Sequence, residues 1–411
     1  MKKTYLVIAS IVIVVVSFSS CSKMFPNAPT GDTVLDGTLD GLSNQQTAQH
    51  LAGDVAFTNE IFTREMGLGS LFVATSCGSC HAGEGKGTPF TTLTRFGQTD
   101  STGNQFLYAG GPQLQNRAIP GFTPEQIPAG ATFSKFTPPA NTGLGFLEVV
   151  TDADILAMSD PNDANRDGIS GVPNWNFIPA YITPPANAAT RGGKFICRFG
   201  KKASTFNLLQ QTATAYNQDM GIVSFFETKD VFSGLDIDPE VPTQTVNNVV
   251  FYLKTLKAPV QRTPNDAEVM QGQNLFVQIA CANCHKQTLN TGFSPIEPLS
   301  FKQIHPYTDL LLHDMGSSLD DGYTEGTAKT NEWKTPPLWG LGLSPNAQGG
   351  KYFLLHDGRA TSIDQAIQMH GGEASASRNK FNLLTDDERN KVRRLNLFLL
   401  AEASPPCICM A

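Results

Sequence analysis

Two five-residue stretches, Cys77-Gly78-Ser79-Cys80-His81 and Cys281-Ala282-Asn283-Cys284-His285, carry the clearest chemistry in this chain. On a helical turn, cysteines at i and i+3 share one face. Both sulfurs can then bond the vinyl groups of one porphyrin while the next histidine reaches under its iron. Each pentad specifies a covalently held haem c and one axial ligand: Cys77, Cys80 and His81 for the first, Cys281, Cys284 and His285 for the second. A zinc site or a pair of redox dithiols would use the same cysteines, but neither requires a histidine directly after the second cysteine in both copies.

A haem iron that only shuttles electrons takes two strong axial ligands, whereas one that handles peroxide keeps an open or displaceable face. The second ligand is therefore the functional question. Apart from the two pentad histidines the chain has His50, His305, His313, His356 and His370. After His81 the next histidine is His285, so no local residue closes the first iron. Either that face is open, or a distant group such as Met158, Tyr108 or a histidine of the second half caps it. A cation site is signalled separately. Asp163-Ala164-Asn165-Arg166-Asp167-Gly168-Ile169 sets oxygen donors at alternate positions before a turn glycine, as calcium loops do. Asp163, Asn165, Asp167 and the Ile169 carbonyl are the expected Ca2+ ligands, with Asn174 at the twelfth position where a bidentate Glu normally stands.

The start has the charged, apolar and small-residue zones of a secretion signal: Met1-Lys2-Lys3, an apolar run from Leu6 to Val16, then Ser17-Phe18-Ser19-Ser20-Cys21. Cys21 after two serines points to lipoprotein processing, with residues 1–20 removed and Cys21 acylated. The expected location is an exported lipoprotein of a bacterial membrane, facing the periplasm or at the cell surface and touching the membrane through its lipid alone. Loss of Lys2 and Lys3 moves the net charge from −7 to −9, which argues against nucleic acid as a partner.

The length allows two haem domains, and 37 Gly with 26 Pro require much of the chain to be loop. The expected fold is mainly α, two cytochrome c-like domains with long Gly/Pro-rich loops. A tether (21–44) precedes an N-terminal haem domain (45–258) carrying the calcium-type loop, then a C-terminal haem domain (259–403) and a tail (404–411) holding Cys407 and Cys409. Helical periodicity runs through Thr47–Met66, Ser204–Phe226, Val246–Leu256, Asp266–Ile279, Ser362–His370 and Thr385–Ala401, while Ala82–Asn141 reads as loop. Asn274-Leu275-Phe276 precedes Cys281 much as Ser70-Leu71-Phe72 precedes Cys77, which suggests two related units.

Three stretches carry a resemblance: Thr335-Pro336-Pro337-Leu338-Trp339-Gly340-Leu341-Gly342, Tyr352-Phe353-Leu354-Leu355-His356-Asp357-Gly358-Arg359, and Ile363-Asp364-Gln365-Ala366-Ile367-Gln368-Met369-His370-Gly371-Gly372. With Gly67-Leu68-Gly69, Arg198-Phe199-Gly200 and His313-Asp314-Met315-Gly316, they make the chain resemble the di-haem or thiol oxidoreductases, relatives of bacterial di-haem cytochrome c peroxidases and MauG. In the peroxidases a methionine fourteen residues after the histidine matching His356 ligates the electron-entry haem. The same count lands on His370, with Met369 one register slip away.

The resemblance thus implies His285/His370 ligation of the second iron, and haem-side hydrogen bonding for His313 and His356. It also implies an amide and a carboxylate above the first iron, for which Gln211 and Asp219, ahead of Met220-Gly221, are the acid/base candidates. Calcium between the domains and Trp175 between the haems are further implications. The function so implied is a peroxidase-like oxidoreductase. It would pass electrons from a donor protein or small redox carrier through the C-terminal haem to the N-terminal one, where peroxide or another small oxidant is reduced. The alternatives are a di-haem electron carrier without catalysis, or MauG-like action on a protein or organic substrate.

Overall fold

The computed structural model describes residues 35, 37–81, 87, 89–100, 102–107, 112–259 and 261–398. The secretion signal, Cys21, Tyr108, Cys407 and Cys409 lie outside them.

Two helix pairs organise the molecule, one for each pentad. Helix α1 (Asn44–Thr58) starts at Ser43, whose hydroxyl accepts from the Gln46 amide while the Gln46 side chain accepts from the Ser43 N–H, a reciprocal cap of two otherwise unpaired donors. The pentad turn Cys77–Cys80 (α2) follows a loop, and α3 (Leu208–Met220) and α4 (Thr243–Thr255) complete this half. In the second half come α5 (Ala267–Gln278), capped by Asp266, then α6 (Ile363–Gln368), capped by Ser362, and α7 (Asp386–Phe398).

The buried positions of α1 are His50, Gly53 and Phe57, and those of α5 are Val269, Gly272 and Phe276. Both sets fall at i, i+3 and i+7, one face of a helix. In each the glycine lets a partner backbone come close. A Cβ on Gly53 would sit 2.1 Å from the Asn248 carbonyl oxygen of α4, and one on Gly272 would sit 2.2 Å from the Lys391 carbonyl oxygen of α7. Each phenylalanine then faces a pentad histidine, Phe57 at 5.7 Å from the His81 ring and Phe276 at 6.3 Å from the His285 ring. Phe57, not Phe72, is thus the counterpart of Phe276. Leu71–Phe72 instead form a short strand against Arg117–Ala118.

The mainly α expectation is overturned: the chain is 34% helical and 12% strand. The reason lies in the connections, where glycine and proline break helices and leave extended segments to pair locally. Within the stretch read as loop, β1 (Leu93–Phe96) pairs antiparallel with β2 (Phe133–Phe136). Further on, β3 (Asn174–Asn176) pairs with β4 (Lys194–Cys197), and β5 (Leu312–Asp314) with β6 (Glu332–Lys334). Among the described residues no sheet exceeds three strands. Except for α4, which starts three residues earlier than its periodicity suggested, the helices are also shorter. The first is interrupted after Thr58 before a separate 3-10 turn at Arg64–Met66, and α3 stops at Gly221, which takes a left-handed φ of 66°.

The largest apolar cluster joins both halves, setting Leu147, Val150, Ile155 and Ile196 against Leu289, Leu299, Ile304, Leu310, Leu311 and Trp339. The two halves therefore share one core. Because Gly272 touches backbone rather than a movable side chain, Gly272→Ala should cost about 1–3 kcal/mol by overpacking. A lowered denaturant midpoint would register it, and an unchanged midpoint would show that α5 and α7 can separate freely.

Candidate functional site

Each pentad is a single tight turn. The His81 N–H donates to the Cys77 carbonyl at 2.9 Å and the His285 N–H to the Cys281 carbonyl at 3.0 Å, so both cysteines and the histidine project from one turn. The first turn is capped by Ser76, whose hydroxyl accepts from the Ser79 amide. The second follows Ala280, at a left-handed φ of 66°. No disulfide joins the pentad cysteines. Burial pushes the Cys77 and Cys281 thiols up to about 12 and Cys80 to about 11, with neighbouring acidic groups adding to the effect.

The histidines fit an iron ligand's requirements. Nδ1 of His285 bonds the Tyr307 carbonyl at 2.9 Å, and Nδ1 of His370 bonds the Ala366 carbonyl at 2.7 Å. A carbonyl only accepts, so the proton resides on Nδ1 and the Nε2 lone pair is left for a metal. Burial lowers the pKa of His285 to about 4 and that of His370 below its ordinary value, keeping both rings neutral, and His370 is close enough to disfavour the charge on His285. His81 is also lowered to about 4 by burial, with the Pro139 carbonyl opposing and Lys201 assisting. Among the described residues no second imidazole acts on it.

What surrounds the first pentad is polar instead. Asp219, at the end of α3, is half-buried, and desolvation pushes its carboxyl up to about 6. A hydrogen bond from Gln113 and the charge of Arg95 pull the other way. Nε2 of Gln113 donates to Asp219 Oδ1 at 2.6 Å and to the Gln218 carbonyl at 2.8 Å, and Gln115 Nε2 reaches that same carbonyl at 2.7 Å. The Oε1 atoms of both glutamines and the Tyr216 hydroxyl are buried without hydrogen-bond partners. Orphaned polar atoms beside Cys77 and Cys80 match a site built around a bound group.

Gln211 stands eight residues before Asp219 on the same helix, about 12 Å along it at the usual rise. Gln113, distant in sequence, supplies the amide. Only its place opposite Arg95 in a strand-like bridge brings it there, a signal that the sequence does not display.

His313 and His356 are both committed. His313 Nε2 pairs with Asp309 at 2.9 Å, and its Nδ1 with Glu373 at 2.8 Å and Cys284 Sγ at 3.6 Å. Burial opposes its charge, but Asp309, Cys284 and Glu373 outweigh it and raise the pKa to about 12. It is an imidazolium with no lone pair for iron. His356 Nε2 donates to Asp321 at 2.7 Å, and its ring lies parallel to Trp333 at 3.7 Å. His50 is a core link between Thr38 and Thr255. His305 bonds Thr288, and Met158 packs on the shared core.

In the calcium-type loop the oxygens engage the loop itself: Asp163 accepts from the Gly168 amide, Asn165 from Asp167, and Asp167 Oδ1 from Ile169. Asp167 Oδ2 also accepts from Asn283, inside the second pentad, at 3.1 Å. Asn174 is withdrawn from the loop. It is buried, donates to the Lys202 and Glu325 carbonyls, and accepts from the Thr327 amide.

The sequence family described as di-haem oxidoreductase, putative peroxidase, matches residues 135–399. The chain belongs to this family. Membership implies two haem groups. No curated protein matches the chain. Among solved structures, this di-haem oxidoreductase is similar to the diheme peroxidase BthA of Burkholderia thailandensis E264, at 16% identity over 91% of this chain and 94% of that one, with a TM-score of 0.41. A MauG-like protein associated with microbial copper homeostasis is similar at 12% identity, over 91% and 94% of the two chains, with a TM-score of 0.39. Hydrazine synthase of Kuenenia stuttgartiensis is similar at 13%, over 91% and 98%, with a TM-score of 0.35.

The His313 clamp makes a direct prediction. His313→Gln leaves Asp309 and Glu373 buried without their cation, which should cost about 3–5 kcal/mol. Because the folded pKa is raised from 6.5 to about 12, the wild-type contribution is complete below pH 6.5 and drains away as pH climbs towards 12. Denaturant titrations from pH 6 to 10 should show a shallower alkaline loss in the variant; parallel curves would mean His313 is not held as the cation.

Proposed function

We propose that this family member is a peroxidase-like oxidoreductase with two covalently attached haem c groups, Cys77 and Cys80 holding one and Cys281 and Cys284 the other. The observation that carries the reading is the asymmetry of the two histidine environments. His285 meets a second neutral imidazole, His370, whose Nε2 is bare, whereas His81 has by it no imidazole among the described residues but a half-buried carboxyl with an amide bonded to it. Two imidazoles suit electron entry at low potential, and an uncapped face beside an acid/base pair suits reduction of peroxide.

When bound, the haems supply the electron storage and the metal face to which an oxidant binds. The chain's own residues do the rest. His285 and His370 are oriented by main-chain carbonyls. Asp219 holds or releases a proton at its carboxyl oxygens, and Gln113 fixes Oδ1 so that Oδ2 is left to face the reacting group. Gln211, two turns earlier on α3, is the other amide candidate. A redox carrier, protein or small molecule, would supply electrons. Calcium at Asp163, Asn165, Asp167 and the Ile169 carbonyl would brace the second pentad through the Asp167–Asn283 contact, with its remaining ligands coming from outside Asn174. The N-terminal signal and Cys21 support export and lipid anchorage; no helix among the described residues is long and apolar enough to cross a membrane.

The oxidised holoprotein should bind cyanide at one haem only, with a high-spin ferric signal from that haem before cyanide is added. Two low-spin haems in every redox state would instead make the protein an electron carrier. Asp219 serves as proton acceptor only when ionised, so peroxide turnover should rise as pH increases through about 6. Asp219→Asn should lower turnover on the order of 10²-fold and abolish that rise; stopped-flow rates retaining both speed and pH profile would remove Asp219 from the chemistry.

A further inference from the structure

The link between the two pentads is an aromatic stack with a cation seated on it. Trp333 on β6 lies across from His313 on β5, and His313 touches Cys284 of the second pentad. The Trp333 indole stacks on the His356 imidazole at 3.7 Å with an interplanar angle of 7°. The His356 carbonyl accepts from both the amide and the hydroxyl of Thr137, at 2.8 and 3.0 Å, and Pro139, two residues on, presents its carbonyl to His81. Trp333 and His356, in ring contact, thus lie along a chain of contacts that runs from Cys284 to Pro139. Against this stack, the Lys202 Nζ stands 3.8 Å from the Trp333 ring centroid. Lys202 is wholly buried and donates to the Lys329, Thr330 and Glu332 carbonyls at 2.9, 3.1 and 2.7 Å.

We propose that the Lys202 ammonium protects Trp333 from one-electron oxidation, so that the ring bridges the haem sites without itself holding an oxidising equivalent. This rests on the peroxidase reading, since a peroxide-consuming site leaves oxidising equivalents near an electron-rich indole. If Trp333 gave up one electron, the oxidised centre would be reduced by one and the ring would become a radical cation. Two features oppose that. The new positive charge would lie directly against the ammonium, where the usual attraction between cation and ring turns to repulsion. The charge also has no way off the ring: Trp333 Nε1 donates to the Leu319 carbonyl at 2.7 Å, and an amide oxygen cannot keep the indole proton. Glu325, Asp321, Glu332 and Asp320 all favour the Lys202 charge, and Asp321 reaches the Trp333 ring by way of His356. Burial lowers the Lys202 pKa to about 8, which leaves the charge in place at neutral pH.

The test treats the full-length ferric holoprotein with hydrogen peroxide, followed by freeze-quench electron paramagnetic resonance and peptide mass spectrometry for oxygen added to tryptophan. Wild type and Lys202→Arg should show no tryptophan radical and an intact Trp333. Lys202→Gln, which keeps two of the three N–H donors but not the charge, should show a tryptophan radical that vanishes when Trp333→Phe is added, and at least tenfold more oxidised Trp333. A Trp333 radical in wild type, or no increase in Lys202→Gln while peroxide is consumed, overturns the proposal. Should the protein consume no peroxide, the peroxidase reading fails by itself, and the same variants scored after a one-electron oxidant such as hexachloroiridate(IV) still decide the role of Lys202. If Lys202→Gln does not fold, the wild type decides: less oxygen on Trp333 than on Trp339 supports the protection, and more overturns it.

Discussion

An imidazole that is to hold iron must arrive buried, neutral and with Nε2 bare, and the surrounding structure is arranged around that requirement. Burial alone makes the ring neutral but leaves two nitrogens that both want partners. At His285 and His370 a main-chain carbonyl takes the Nδ1 proton, which fixes the tautomer and the direction of the remaining lone pair in one contact. The helix pairs α1/α4 and α5/α7 then set the depth of the pentad turns. Their glycines allow backbone contact, and their phenylalanines lie beside the histidine rings. Two turns far apart in sequence are supported by the same device.

The second organising feature is that the halves share both a core and their buried charges. Arg95 from the first half pairs with Glu325 from the second at 2.6 Å, and Ser134 donates to Asp321 across the same boundary. Lys202 reaches over it to three carbonyls. Buried charges of this kind contribute little net stability, because desolvation offsets most of the attraction, but a displaced partner is expensive. They therefore fix the relative placement of the two pentads more than they strengthen it.

Local signals were largely legible. Asp266 and Ser362 announced the starts of α5 and α6, because caps depend on a few neighbouring residues, whereas the periodicity ran on to Phe226 past the Gly221 that ends α3. The character of the connections was not. Gly/Pro-rich composition indicates where helices fail but not which extended segments will find each other, so the pairing of β1 with β2 was hidden within a stretch that reads as loop. The counterpart of Phe276 was misplaced for a related reason: a longer insertion separates Phe57 from Cys77 than separates Phe276 from Cys281, and only the helix face shows the equivalence.

By itself the sequence determined the groups that can bond porphyrin and iron, since the cysteine spacing and the adjacent histidine are properties of a single turn. Through its motifs it also brought His313, His356 and His370 into view. Tertiary structure decided what surrounds each of them: His313 lies between two carboxylates, His356 is stacked on Trp333, and the Nδ1 of His370 is taken by the Ala366 carbonyl. It also set Gln113 against Asp219 and placed Lys202 over Trp333. Protonation and ligand capacity depend on distances between residues remote in the chain, and those distances exist only once the halves are packed together.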